Sequence, residues 1–139
     1  MKNFGSTFEY EQQRNNELMK SYRASIERST FIRRDEVLKA TVNSPASRFW
    51  VSERRAAIVI ARMIKGDKLH YMRPLKREMF QEIYRRFLLL KGENPDASIL
   101  HLASLVVAQP APKFYLEPGS AKVIISKNRK RRFKFHRHG

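Results

Sequence analysis

The clearest hydrophobic pattern begins at Pro74. Leu75, Met79, Phe80, Ile83, Tyr84, Phe87 and Leu88 recur at three- and four-residue spacing, while Lys76, Arg77, Glu78, Gln81, Glu82, Arg85 and Arg86 fill the positions between. That period places apolar side chains on one face of an α-helix. Pro74 suits the first helical turn, where its missing N–H costs nothing, and Gly92-Glu-Asn-Pro95 ends the pattern. A second helix is expected over Ile99, Leu102 and Val106, with Asp96 as its N-cap. A third is expected over Ala56, Val59, Ile60 and Met63, with Ser52 as cap and Glu53 in the first turn, where an acid favours the helix dipole. Nearer the N-terminus, Leu18, Tyr22 and Ile26 mark a helix over about 9–26, followed by one over about 32–42. No segment alternates in the manner of a half-buried strand, so the expected fold class is all-α, with KFYL at 113–116 as a brief extended piece.

The same pattern occurs twice. With a shift of 65 residues, PASRFWVSERRAAIVI (45–60) lies over PAPKFYLEPGSAKVII (110–125). In the 19 positions from Val42 to Ile60, six residues are identical to their partners: Val42, Pro45, Ala46, Phe49, Ala56 and Ile60. Roughly one identity is expected by chance from ordinary residue frequencies. Apolar positions also coincide upstream, as Val37 with Leu102. The chain therefore reads as a tandem duplication. The expected organisation is two three-helix units, 1–65 and 74–128, joined by a polar linker at 66–73 and followed by a basic, disordered tail at 129–139. Pro45 and Pro110 end the second helix of each unit, because the residue before proline disfavours helical backbone.

VSERRAAIVI (51–60) resembles the start of the recognition helix in bacterial and phage helix-turn-helix DNA-binding proteins. Val51, Ser52, Ala56, Val59 and Ile60 fill the slots of that pattern, and LEPGSAKVII (116–125) fills them again with Leu116, Glu117, Ala121, Ile124 and Ile125. The resemblance covers about ten residues of each unit, together with the preceding helix in outline. It implies a helix in the major groove with its early side chains near base edges. Those would be Glu53, Arg54 and Arg55, with Arg62 farther along, and Ser120 and Lys122 in the second unit. The sequence departs from the pattern in two ways. The link from Val42 to Val51 is long and carries Pro45-Ala46, and Ala57, Ile58 and Ala61 are apolar where the family usually exposes polar residues. Ile58 matches Val123 across the repeat, which implies burial between the units, a protein partner, or self-association through those two faces.

Charge sharpens the functional reading. Lys and Arg total 29 against 13 Asp and Glu, a formal net charge of +16. Residues 118–139 hold eight basic side chains and no acidic one. Such a field attracts polyanions, chiefly by releasing counterions from phosphates. The run KNRKRRFKFHRHG (127–139) reads as an arm for nucleic acid, with Lys127, Arg129, Lys130, Arg131 and Arg132 on phosphates and Phe133 and Phe135 available to stack or insert. Arg48 and Lys113 precede an aromatic pair in each unit and are candidate phosphate contacts. The pairs themselves, Phe49-Trp50 and Phe114-Tyr115, are read as core anchors rather than stacking platforms for bases.

Nothing in the sequence points to catalysis. There is no cysteine, no Gly-rich phosphate loop and no Ser/His/Asp cluster. His136 and His138 lack a carboxylate or thiolate companion, so neither metal nor cofactor is expected. The longest apolar run, Ala56–Ala61, is far too short to span a bilayer, and MKNFGSTFEYEQQ has no apolar stretch of signal-peptide length. The expectation is a non-enzymatic, cytoplasmic DNA-binding protein, a transcriptional regulator or a DNA-recognition factor of a phage or mobile element, nucleoid- or virion-associated. The alternatives are an RNA-binding component and a structural adaptor of a nucleic-acid-containing assembly such as a virion.

Overall fold

The computed structural model describes the backbone of residues 4–28 and 33–138 and the side chains of 10–28 and 33–129. Among these residues there are six helices and no strand: α1 (Phe4–Arg28), α2 (Arg34–Val42), α3 (Glu53–Ile64), α4 (Pro74–Glu93), α5 (Ile99–Val107) and α6 (Pro118–His138). The helix starts are set by local chemistry. Ser52 Oγ accepts from Arg55 N–H at 3.0 Å and Ser98 Oγ accepts from His101 N–H at 3.1 Å, each satisfying a donor that the first helical turn leaves free. Asp96 does not cap α5. Ala97 N–H donates to Asn94 C=O at 3.1 Å, and this turn places Ser98, not Asp96, at the extended position before the helix.

The chain forms two compact units, Pro45–Tyr115 and the pair of segments Met1–Ser44 with Leu116–Gly139. This grouping differs from the division expected at 1–65 and 74–128. In the first compact unit α3 packs on α5 and α4, and in the second α6 packs on α2 and α1. Helices α3 and α6 thus each leave the helix pair that precedes them in the chain, α3 joining α4 and α5 and α6 joining α1 and α2. The hydrogen bonds of the connecting segments give the reason. Ala46 N–H donates to Ala111 C=O at 3.0 Å and Ala111 N–H donates back to Ala46 C=O at 2.9 Å, an antiparallel pair between equivalent positions of the repeat. Phe49 N–H then donates to Val107 C=O at 3.0 Å. The segment that follows α2 is held along the end of α5, and α3 starts beside α5.

In unit 45–115 the core is Ala56, Val59 and Ile60 of α3, Met79, Phe80, Ile83 and Phe87 of α4, and Leu102, Ala103, Val106 and Val107 of α5, closed by Ala46, Phe49, Ala111 and Phe114. The 66–73 stretch, expected to be a polar linker, is built into this unit. Leu69 and Met72 are buried, and Leu69 takes a positive φ of 59°. Asp67 Oδ1 accepts from Leu69 N–H at 2.8 Å, while the Arg77 guanidinium donates to the carbonyls of Leu69 at 3.1 Å and Met72 at 2.9 Å. Burial of two apolar side chains and the guanidinium fork of Arg77 hold a stretch whose composition looks like loop.

In the other unit Leu18, Met19 and Tyr22 of α1 meet Val37, Leu38 and Val42 of α2 and Ala121 and Ile125 of α6. The tail expected to be disordered continues α6 as helix through His138. Lys and Arg are good helix formers, and no Gly or Pro interrupts 120–138.

Candidate nucleic-acid interface

Helix α3 is fixed from one side only. Ala56, Val59 and Ile60 are fully buried, which turns Arg54, Arg55, Ile58, Arg62 and Lys65 outward, all exposed. Positions 54, 58 and 62 lie four apart and so share a stripe along the helix. Glu53 is the single acidic side chain on this helix. Arg62 Nη1 donates to Tyr71 Oη at 3.4 Å, and Tyr71 Oη donates to Asp67 Oδ2 at 3.2 Å. This exposed chain orients Arg62 without neutralising it. Lys65, which the sequence reading did not single out, belongs to the same face; its place at the helix end, three residues beyond Arg62, is the signal that could have found it.

Arg48 and Lys113 are committed elsewhere. Arg48 Nε donates to Phe49 C=O at 3.1 Å, its Nη2 reaches Val51 C=O at 3.4 Å, and its guanidinium carbon lies 5.6 Å from the centre of the Trp50 ring. Lys113 pairs with Glu78 and lies 5.5 Å from the Tyr115 ring centre. These two cations brace the segments that precede α3 and α6. The aromatic pairs divide in the same way in both repeats. Phe49 and Phe114 are buried, while Trp50 and Tyr115 are half-buried, and Tyr115 stacks on Phe49 with ring centres 6.1 Å apart. Burial, reinforced by Glu82 and Glu78, pushes the Tyr115 hydroxyl up to about 12.

In the unit that holds α6, burial of Ala121 and Ile125 turns Ser120, Lys122, Val123 and Lys127 outward. Arg129 is exposed as well, and its guanidinium carbon lies 5.5 Å from the Tyr22 ring centre. Lys130, Arg131 and Arg132 continue the α6 backbone, but their side chains, like those of Phe133 and Phe135, lie outside the described residues. The sequence-derived candidates therefore fall in two groups. Arg54, Arg55 and Arg62 share one face of α3, and Ser120, Lys122, Lys127 and Arg129 lie along α6.

A cleft of about 260 Å³ lies beside Lys127, lined by Glu11, Gln12, Arg14 and Asn15 of α1 and Ile124, Lys127 and Asn128 of α6. The Arg14 fork donates to Asn15 Oδ1 at 3.2 and 3.1 Å, and burial lowers its pKa from the ordinary arginine value. This lining offers hydrogen-bond donors and one carboxylate, suited to binding a polar group. His70 and His101 are exposed, and no cluster of His, Cys, Asp and Glu able to hold a metal occurs among the described residues. No helix among them is long and apolar enough to cross a membrane. No protein-family model, curated protein or solved structure matches the chain.

Proposed function

We propose that this chain is a non-enzymatic DNA-binding protein whose two third helices, α3 and α6, are its reading elements. We read each compact unit as a three-helix head in which the reading helix is supplied by the other repeat. The observation that carries the proposal is the outward stripe of α3, where Arg54, Arg55, Arg62 and Lys65 stand exposed on a helix anchored by three fully buried residues. A rigid helix with a cationic face not neutralised by carboxylates fits the major groove, which is wide enough to admit one, and its arginines can pair with guanine edges or phosphates. Lys122, Lys127 and the basic continuation of α6 supply a second contact. Transcriptional control, or DNA recognition for a phage or mobile element, are the roles such a module would serve.

The test is fluorescence anisotropy of the full chain with a labelled 30-base-pair duplex over a salt series, with structured RNA as competitor. Binding should weaken steeply as salt rises, and Arg54→Glu combined with Arg55→Glu should abolish it. A flat salt response, or binding untouched by the double charge reversal, would overturn the proposal. Displacement of the duplex by equimolar RNA would move the reading to an RNA target.

A further inference from the structure

Ile58 and Val123 stand 65 residues apart at equivalent positions of the repeat. Both are exposed, at 42% and 53%. A single exposed aliphatic side chain needs no explanation. Here an exposed β-branched residue, Ile58 on α3 and Val123 on α6, occupies the equivalent position of both helices, each time near cations. Arg54 and Arg62 lie one turn to either side of Ile58, with Arg55 beside them, and Lys122 and Lys127 flank Val123.

The surroundings select the kind of surface that would cover these residues. Lysine is depleted at the centre of a protein–protein interface whereas arginine is enriched there, so Lys122 and Lys127 beside Val123 argue against a protein partner, and the exposed Arg54 and Arg62 on either side of Ile58 suit an anionic surface. The surface that matches such a pattern presents anionic flanks with a small apolar group between them. The major groove of duplex DNA has that layout, with phosphates along both edges and the thymine C5-methyl on its floor. Val and Ile are stiff at χ1, so little side-chain freedom is lost when they meet a methyl group.

We propose that Ile58 and Val123 are specificity-determining residues, each packing against a thymine methyl in the major groove. The proposal rests on the duplex-DNA reading above and adds to it a base preference for each reading helix. Uracil lacks only the methyl group, so replacing thymidine by deoxyuridine isolates the contact. Duplexes recovered by the full chain from a random pool would be synthesised in thymidine and deoxyuridine forms and compared by anisotropy at fixed salt. Loss of one buried methyl should weaken binding about fourfold, and loss at both helices roughly fifteenfold. Ile58→Ala and Val123→Ala should each remove one step of the thymidine preference, and the double variant should bind both forms equally. Both sites are exposed and alanine is the best helix former, so the variants keep the fold, as far-UV circular dichroism would verify. Equal wild-type affinity for the two forms, with steep salt dependence retained, would overturn this inference and leave DNA binding standing. So would recovery of no enriched sequence, or sedimentation showing an oligomer that Ile58→Asp dissociates. Loss of duplex binding altogether, or a flat salt response, would instead remove the underlying reading.

Discussion

Arg86 occupies the centre of a polar cluster in unit 45–115. Its guanidinium carbon lies 4.8 Å from the Phe49 ring centre, and its nitrogens donate to Glu82 Oε2 at 2.7 Å, Gln109 Oε1 at 3.2 Å and Pro110 C=O at 2.8 Å. Arg85 adds two bonds to the same carboxylate, at 3.0 and 2.7 Å. The hydrogen bond from Arg85, followed by that from Arg86, lowers the Glu82 pKa to about 2. The unfolded chain releases this proton near the ordinary glutamate value, about 4.3. Between those limits the unfolded chain binds more protons than the folded one, so the contribution of Glu82 is complete above the unfolded value and fades as pH falls through the folded one. Glu82→Gln should therefore lower stability at pH 7 and flatten its decline between about pH 4 and pH 2, read by urea titration at a series of pH values. An acid limb identical in variant and wild type would show that the cluster does not hold the carboxylate. At the same scale, Arg48, Arg77, Arg86 and Lys113 are spent on carbonyls, carboxylates and rings, whereas Arg54 and Arg55 are not. Composition counts both sets alike, and only geometry separates them.

At the scale of elements, periodicity and caps were readable from the chain because they depend on near neighbours. The amphipathic stripe of α4, the prolines closing α2 and α5, and Ser52 at the start of α3 are of this kind. The cap of α5 was misplaced because Asp96 and Ser98 are chemically equivalent candidates, and the turn over Asn94–Ala97 decides between them. Ser98→Ala should cost about 1 kcal/mol of stability, while Asp96→Ala should stay within about 0.5 kcal/mol. Denaturant midpoints of the two variants decide the matter, and the reverse order would restore Asp96 as the cap. The exchange of third helices was not legible for a deeper reason. Hydrophobic spacing states which face of a helix is buried, but not what buries it. Helices α3 and α6 carry nearly the same apolar pattern, Ala56, Val59 and Ile60 against Ala121, Ile124 and Ile125, so either helix suits either pair by sequence alone. The choice lies in the reciprocal Ala46–Ala111 bonds, made between residues with no distinguishing side chain. The candidate site was half legible for the same reason. The cations of α3 followed from helical spacing, whereas Glu78, which engages Lys113, lies 35 residues upstream of it.

Across the whole molecule the positive charge is shared between the two units. Residues 45–115 carry 13 basic and six acidic side chains, and the remainder carries 16 and seven. Their arrangement differs. In 45–115 the cations are interspersed with carboxylates and several are paired, whereas beyond Glu117 no acidic residue occurs. The C-terminal half of α6 is therefore the segment whose contribution to polyanion binding should be most purely electrostatic, and the salt dependence of binding measures it directly. Each phosphate neutralised on duplex DNA adds about 0.9 to the slope of log affinity against log salt. Replacing Arg129, Lys130, Arg131, Arg132, Lys134 and Arg137 by Gln removes six cations while keeping good helix formers in place. If these residues lie on phosphates, the slope should become shallower by roughly five, with the helical circular dichroism signal preserved and any thymidine preference retained. An arm that only charges the surface would give a different result. Because distant exposed charges are screened beyond about 8 Å at physiological ionic strength, affinity would then change little there and the slope would stay close to that of the wild type. A shallower slope with intact base preference would assign affinity to the arm and selectivity to the two reading helices, the division of labour expected when phosphate contacts position a protein and base contacts specify its site.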